Sequence, residues 1–238
     1  MTKDDSSDDA ATAEPVSWRE LAVARSLDSA RTRAESRVQR FLDAALELMN
    51  SGDSKEFTVQ EVVERSGQSL RSFYQYFGGK HELLLALFEE SIRTTTDYLR
   101  ERVAEEDDAS ARLHRFVVEY YRLCRPAPTG KSAKKTPSPS PVLVEFAQEL
   151  LTVYPKEAAR AFVPLVTLFE EVFDAAAAAG TIRSGLNRRH VIGVMLEAIM
   201  FNAFSATIGG TATSAEPVDP AEELWDLIIN GIGARAKK

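Results

Sequence analysis

Apolar residues recur along this chain at helical spacing, and no stretch alternates long enough to read as a strand. Val38, Phe41, Leu42, Ala45, Leu46 and Met49 fall at i, i+3, i+4, i+7, i+8 and i+11, one face of an amphipathic helix that Asn50-Ser51-Gly52 ends. Thr58-Val59-Gln60-Glu61 has the spacing of a capping box, which predicts a short helix from Thr58 that buries Val62 and Val63 and stops at Ser66-Gly67. Gly67 suits the left-handed position that closes such a helix, and Ser69 can cap the next one. That next helix runs from about Leu70 to Phe77, with Leu70, Phe73, Tyr74 and Phe77 spaced along one face. Helix, tight glycine turn and helix make a helix-turn-helix.

Gly78-Gly79 interrupts the pattern. A long helix then carries Leu83, Leu84, Leu87, Phe88, Ile92, Tyr98 and Leu99, and fades in Glu105-Glu106-Asp107-Asp108. Further helices are predicted near 109–124, 142–153, 155–179, 187–208 and 218–233, which makes the fold all-α. Between Pro126 and Pro141 the sequence PAPTGKSAKKTPSPSP reads as an extended, flexible loop.

Composition adds limits. The 238 residues are 44% hydrophobic and 27% charged, as in an ordinary folded protein. Cys124 is the single cysteine, so no intramolecular disulfide and no cysteine-rich metal site is expected. No metal-ligand spacing or nucleophile motif points to an enzyme or a cofactor. No apolar run reaches the roughly 18 residues of a membrane span, and the expected location is the cytoplasm.

The net charge of −7 is unevenly spread. Residues 1–16 hold Asp4, Asp5, Asp8, Asp9 and Glu14 against Lys3, and read as a disordered acidic tail. Residues 17–36 form a basic extension that leads into Arg37 and Arg40; it reads either as a DNA-contacting arm or as a solvated helix face. From Arg65 to Lys80 there are Arg65, Arg71 and Lys80 and no acid. Local charge of this kind is what a phosphate feels within a Debye length of about 8 Å.

The run TVQEVVERSGQSLRSFYQYFGGKHELL resembles the DNA-binding signature of the tetracycline-repressor (TetR) family of transcriptional regulators, over about Val38 to Phe88. The resemblance rests on the apolar first helix, Thr58, Gly67, Ser69, Tyr74, Phe77, Lys80 and Leu83 at their mutual offsets. Val63, Gln68, Arg71, Tyr76 and Gly79 depart from the family's usual residues; Gly79 leaves the fourth helix without a side-chain cap.

What the resemblance implies is a helix-turn-helix DNA-binding domain over 37–82 and a helical ligand-binding and dimerisation domain over 83–238. Arg71 suits a bidentate contact to guanine and Gln75 one to adenine. Gln60 matches a family position that sometimes reaches a base. Thr58, Ser69, Ser72, Tyr74, Tyr76 and Lys80 match phosphate contacts, which fix register without reading sequence, and Arg37 joins this DNA-binding set. Tyr74 has a second reading as core, since its spacing from Leu70 and Phe77 suits packing.

In the larger domain Phe116, Phe146, Phe162, Phe169, Phe173, Phe201 and Phe204 are candidates to line a pocket for a small, largely apolar effector. His114, Tyr120, Tyr121, Glu145, His190, Glu197 and Asn202 are candidate polar groups within it. The last two helices are expected either to build a homodimer interface, helped by Gly193, Ala198 and Ala203, or to pack as a hairpin on their own domain. The resulting expectation is a dimeric repressor that binds double-stranded, palindromic operator DNA and is released by that effector. The alternatives are a regulator of the same fold without an effector, and a helical protein-interaction adaptor.

Overall fold

The computed structural model describes residues 17–50, 57–125, 141–208 and 219–233. The acidic tail 1–16 and the loop up to residue 140 lie outside them. Among the described residues ten helices follow one another: α1 (Trp18–Asn50), α2 (Val59–Ser66), α3 (Leu70–Tyr76), α4 (Lys80–Ala104), α5 (Ala109–Cys124), α6 (Pro141–Val153), α7 (Pro155–Ala161), α8 (Val163–Ala178), α9 (Arg188–Ile208) and α10 (Pro220–Ile232). Among the described residues the only extended pairing is an isolated bridge between Ile182 and Gly233, so the all-α expectation holds.

Local chemistry sets the head. Thr58 Oγ1 accepts the Glu61 N–H at 3.2 Å while the Glu61 carboxylate accepts the Thr58 N–H at 2.7 Å, which completes the capping box of α2. Gly67 closes α2 at φ 65° and ψ 23°, a left-handed conformation that costs a side-chain-bearing residue about 1–2 kcal/mol. Ser69 Oγ then accepts the Ser72 N–H at 3.1 Å and starts α3. α4 has no side-chain cap from Gly79. Instead its own Glu82 reaches back to accept the Gly78 N–H at 2.7 Å.

The head is closed by an aromatic cluster. Phe41 on α1 meets Phe73 edge-on at 5.4 Å and Phe77 at 6.2 Å, and all three rings are buried. Across α1 and α2, Arg65 pairs with Glu47 at 3.2 Å.

α4 runs out of the head into the body, where α5, α6, α7 and α8 pack against it. Phe116 of α5 stacks on Phe169 of α8 at 4.6 Å, and Phe88 of α4 meets Phe146 of α6 and Phe162 beside α8. α9 lies on α5 and α8, and α10 on α5. Two polar links fasten α10: His114 Nε2 to Glu222 at 2.7 Å and Arg122 to Asp219 at 2.6 Å. Asp219 also caps α10 by accepting the Ala221 N–H, and the Arg122 guanidinium holds its carboxyl below the usual carboxylate range.

The basic extension, left open between a DNA-contacting arm and a solvated helix face, is helical from Trp18 and continuous with the first amphipathic helix, so α1 is 33 residues long. Three sequence expectations change. The helix expected over 155–179 is two helices, divided at Phe162. Pro164 is the cause, since its ring and missing N–H cannot continue a helix across that point. Pro141, assigned to the loop, is the first residue of α6. Ala203 is buried within its own domain and is not part of an outer face.

Cys124 sits at the inner end of α5 beside Tyr120, and burial pushes its thiol up to about 12. The thiolate is the reactive form of cysteine. Thiol reagents at about pH 8 are therefore expected to leave Cys124 unmodified in the native protein and to label it on denaturation, with labelling followed by intact mass.

Candidate nucleic-acid interface

Three elements meet at one polar cleft of about 330 Å³. Its walls are Arg37 of α1, Gly67 and Gln68 of the turn, the α3 cap Ser69, and Arg71, Ser72 and Gln75 of α3. No acid lines it. Five of the DNA-binding candidates are thereby brought together: Arg37, Ser69, Arg71, Ser72 and Gln75. The sequence reading missed Gln68 as part of this surface, although its departure from the apolar residue usual at that turn position in the resembled family was the available signal.

Arg71 and Gln75 are exposed and lie four residues apart, so their side chains stand on one face of α3. Neither forms a hydrogen bond or ion pair with another described residue that would hold it away from a ligand. Ser72 differs. Its Oγ is buried with no hydrogen-bond partner, while its main-chain N–H serves the Ser69 cap. In this conformation the Ser72 hydroxyl faces inward, where a phosphate does not reach.

The remaining candidates surround the cleft without lining it. Tyr74 is 57% exposed and its ring packs edge-on against Phe73, which removes the core reading for this side chain. Leu70 is 43% exposed, so the buried face of α3 is narrower than its spacing implies and consists of Phe73 and the capping residue Phe77. Tyr76 is half-buried against the core. Thr58 is exposed, and its hydroxyl also donates to Glu61 at 2.8 Å. The Glu61 carboxyl is held below its usual range, first by the Thr58 N–H, then by that hydroxyl, with a smaller contribution from Lys80. Gln60 is exposed and donates to Glu64 at 3.0 Å. Lys80 opens α4 with its Nζ 4.6 Å from the Phe57 ring centroid, which leaves the ammonium half-exposed at a helix N-terminus.

The effector candidates in the body divide by position. Phe116, Phe146, Phe169, Phe173, Tyr120 and Tyr121 are buried, and Phe162 is partly so. Phe201, His190, Glu197 and Asn202 are exposed, because α9 turns that side outward; Glu145 on α6 is exposed as well, and His114 is engaged by Glu222. The Phe204 side chain lies outside the described residues. Val194, Ala198 and Phe201 on α9 and Leu227 on α10 leave apolar groups on the surface of the chain.

Residues 41–87 match the model of the bacterial regulatory proteins of the tetR family. An HTH-type transcriptional regulator of Bacillus subtilis, YvdT, is 24% identical over 76 residues, which is 32% of this chain and 39% of that protein. The chain thus spans about two-fifths of the length of the curated relatives it matches. Among solved structures, FadR of Bacillus subtilis in complex with stearoyl-CoA superposes with a TM-score of 0.60 at 17% identity, over 82% of this chain and 98% of that one. Thermus thermophilus FadR, a transcriptional repressor in complex with lauroyl-CoA, gives 0.60 at 21% identity, over 84% and 97%. These likenesses extend the shared fold well beyond the head.

Proposed function

We propose that this chain, a member of the tetR family of bacterial regulatory proteins through its residues 41–87, is a homodimeric repressor that binds a palindromic operator and is released by an effector with a long acyl chain. The observation that carries the DNA-binding reading is the acid-free cleft, from which Arg71 and Gln75 project beside Arg37 and Ser69. A bidentate donor and an amide on adjacent turns suit guanine and adenine edges in the major groove. Thr58, Tyr74, Tyr76 and Lys80 then hold the flanking phosphates. Residues 37–82 form the DNA-binding unit and 83–238 the effector and dimer unit, with α4 running through both.

The outer apolar groups of α9 and α10, Val194, Ala198, Phe201 and Leu227, support a dimer built from these helices. A twofold dimer presents two equivalent α3 helices to half-sites one helical turn or a multiple of it apart. The effector class is suggested by the acyl-CoA complexes of the FadR structures and by the phenylalanine-rich interior of the body. Release follows if the effector binds more tightly to dimers whose α3 spacing no longer fits the operator.

A second reading, an effector-free regulator, is favoured by one observation. The Phe116–Phe169 stack joins α5 to α8 directly, so between these two helices the space is taken by the protein's own rings. Selection from random duplexes is expected to return a palindrome; only asymmetric sites, or no enrichment, would refute the dimeric reading. Stearoyl-CoA and lauroyl-CoA are then expected to raise the melting temperature and to weaken operator binding by the factor by which operator weakens acyl-CoA binding. Operator binding without any response to acyl thioesters would leave the effector-free regulator.

A further inference from the structure

The middle of α1, residues 28–40, has two unlike faces. Arg33, Arg37 and Arg40 fall at i, i+4 and i+7 and share one side of the helix. Asp28, Arg31 and Glu35 fall at i, i+3 and i+7 on the opposite side, where Arg31 and Glu35 pair at 2.8 Å. One stripe therefore carries three positive charges, and the other nearly cancels itself. Arg33, Arg37 and Arg40 are all exposed, and no acid among the described residues pairs with them. Arg33 is steered along the helix by its Nε donating to the Ser29 carbonyl at 2.9 Å.

The basic stripe is continuous with the cleft, because its middle member, Arg37, is also a wall of that cleft beside Arg71 and Gln75. Ser26, seven residues before Arg33, carries the same face toward the N-terminus. Helical rise sets Arg33 and Arg40 about 10 Å apart, a span that covers about three base steps of one strand at 3.4 Å each.

We infer that the middle of α1 is a second DNA-contacting element, whose Arg33–Arg37–Arg40 face seats on the sugar–phosphate backbone flanking each half-site and enlarges the footprint beyond the bases read by α3. This rests on the DNA-binding reading of the head. The stripe contributes affinity and salt dependence and carries no base preference, since phosphates are alike along the duplex.

The test uses the full-length protein with Arg33→Gln, the double variant Arg33→Gln/Arg40→Gln, and Arg31→Gln as a control on the opposite face. Each is titrated with the selected operator, once with long duplex flanks and once trimmed at the outer edge of the half-sites. On the flanked duplex the double variant is expected to flatten the slope of log K against log salt by about two per subunit, and the single variant by about one. The Arg31→Gln control should match the wild type, and the selected sequence should be the same for all four proteins. On the trimmed duplex the differences among them should shrink. If wild type binds its operator but the double variant keeps the wild-type slope on the flanked duplex, the inference falls while the function of the head stands. An equal loss in the Arg31→Gln control overturns it as well, because a face-specific contact cannot produce that result. Failure of the wild type to bind any duplex removes the DNA-binding reading and the stripe with it.

Discussion

Phe73→Ala should destabilise the head by about 3–5 kcal/mol, the range for removing a fully buried phenylalanine. The Phe73 ring is at 0% exposure and meets three others, Phe41, Tyr74 and Phe77, each with its centroid 5.4 Å away. Phe41 belongs to α1, so the ring is what ties the seven-residue α3 to a long helix. A helix that short has little stability of its own in water, where isolated helices under about 12–15 residues are marginal. Whole domains are stable by only about 5–15 kcal/mol, so such a loss is enough to release α3 locally. Amide exchange over α2 and α3 should accelerate, and operator binding should disappear with it. Tyr74→Phe, at an exposed position, is the control and should leave exchange unchanged. Protection of α3 in Phe73→Ala equal to that of the wild type would show that the cluster is not its anchor.

The head was legible because short-range chemistry determines it. The Thr58–Glu61 reciprocal cap, the left-handed Gly67 and the Ser69 cap each act within four residues, and each stands where the spacing placed it. What the spacing could not supply is the width of a buried face. Leu70 and Tyr74 share a helical stripe with Phe73 and Phe77, but α1 covers only the latter pair, and that depends on a helix some thirty residues away in sequence. The extension of α1 was ambiguous for a related reason. Residues 18–36 have no continuous apolar face to bury, so periodicity says little, while Leu21, Ala22, Ala24, Leu27, Ala30 and Ala34 with the arginines supply strong helix propensity. In the body the limit is different again. α9 has apolar residues on several sides, so the sequence alone did not say that Ala203 faces inward and Phe201 outward.

The division of labour at the interface gives the other large expected effect. Arg71→Ala should relax preference at one base pair of each half-site by about 1–3 kcal/mol, or roughly five- to 150-fold in discrimination, the worth of one good bidentate contact. Gln75→Ala should do the same at a neighbouring pair, since the two residues are separated by about one helical turn. Both side chains are exposed, and neither belongs to the aromatic cluster, so melting temperatures should stay near wild type. Lys80→Ala acts differently. Its ammonium stands at the start of α4 over the Phe57 ring, outside the cleft. Removing a phosphate anchor there should weaken all sequences alike and lower the salt slope by about one for each phosphate no longer neutralised. Selection from random duplexes with each variant, followed by salt titration on the recovered site, separates the two kinds of loss. An unchanged site preference in Arg71→Ala would remove Arg71 as a base reader and turn attention to Gln68, a further long polar side chain in the same cleft. An altered preference in Lys80→Ala would mean that α4 positions α3 on the bases, and that the distinction between reading and anchoring does not fall between these two helices.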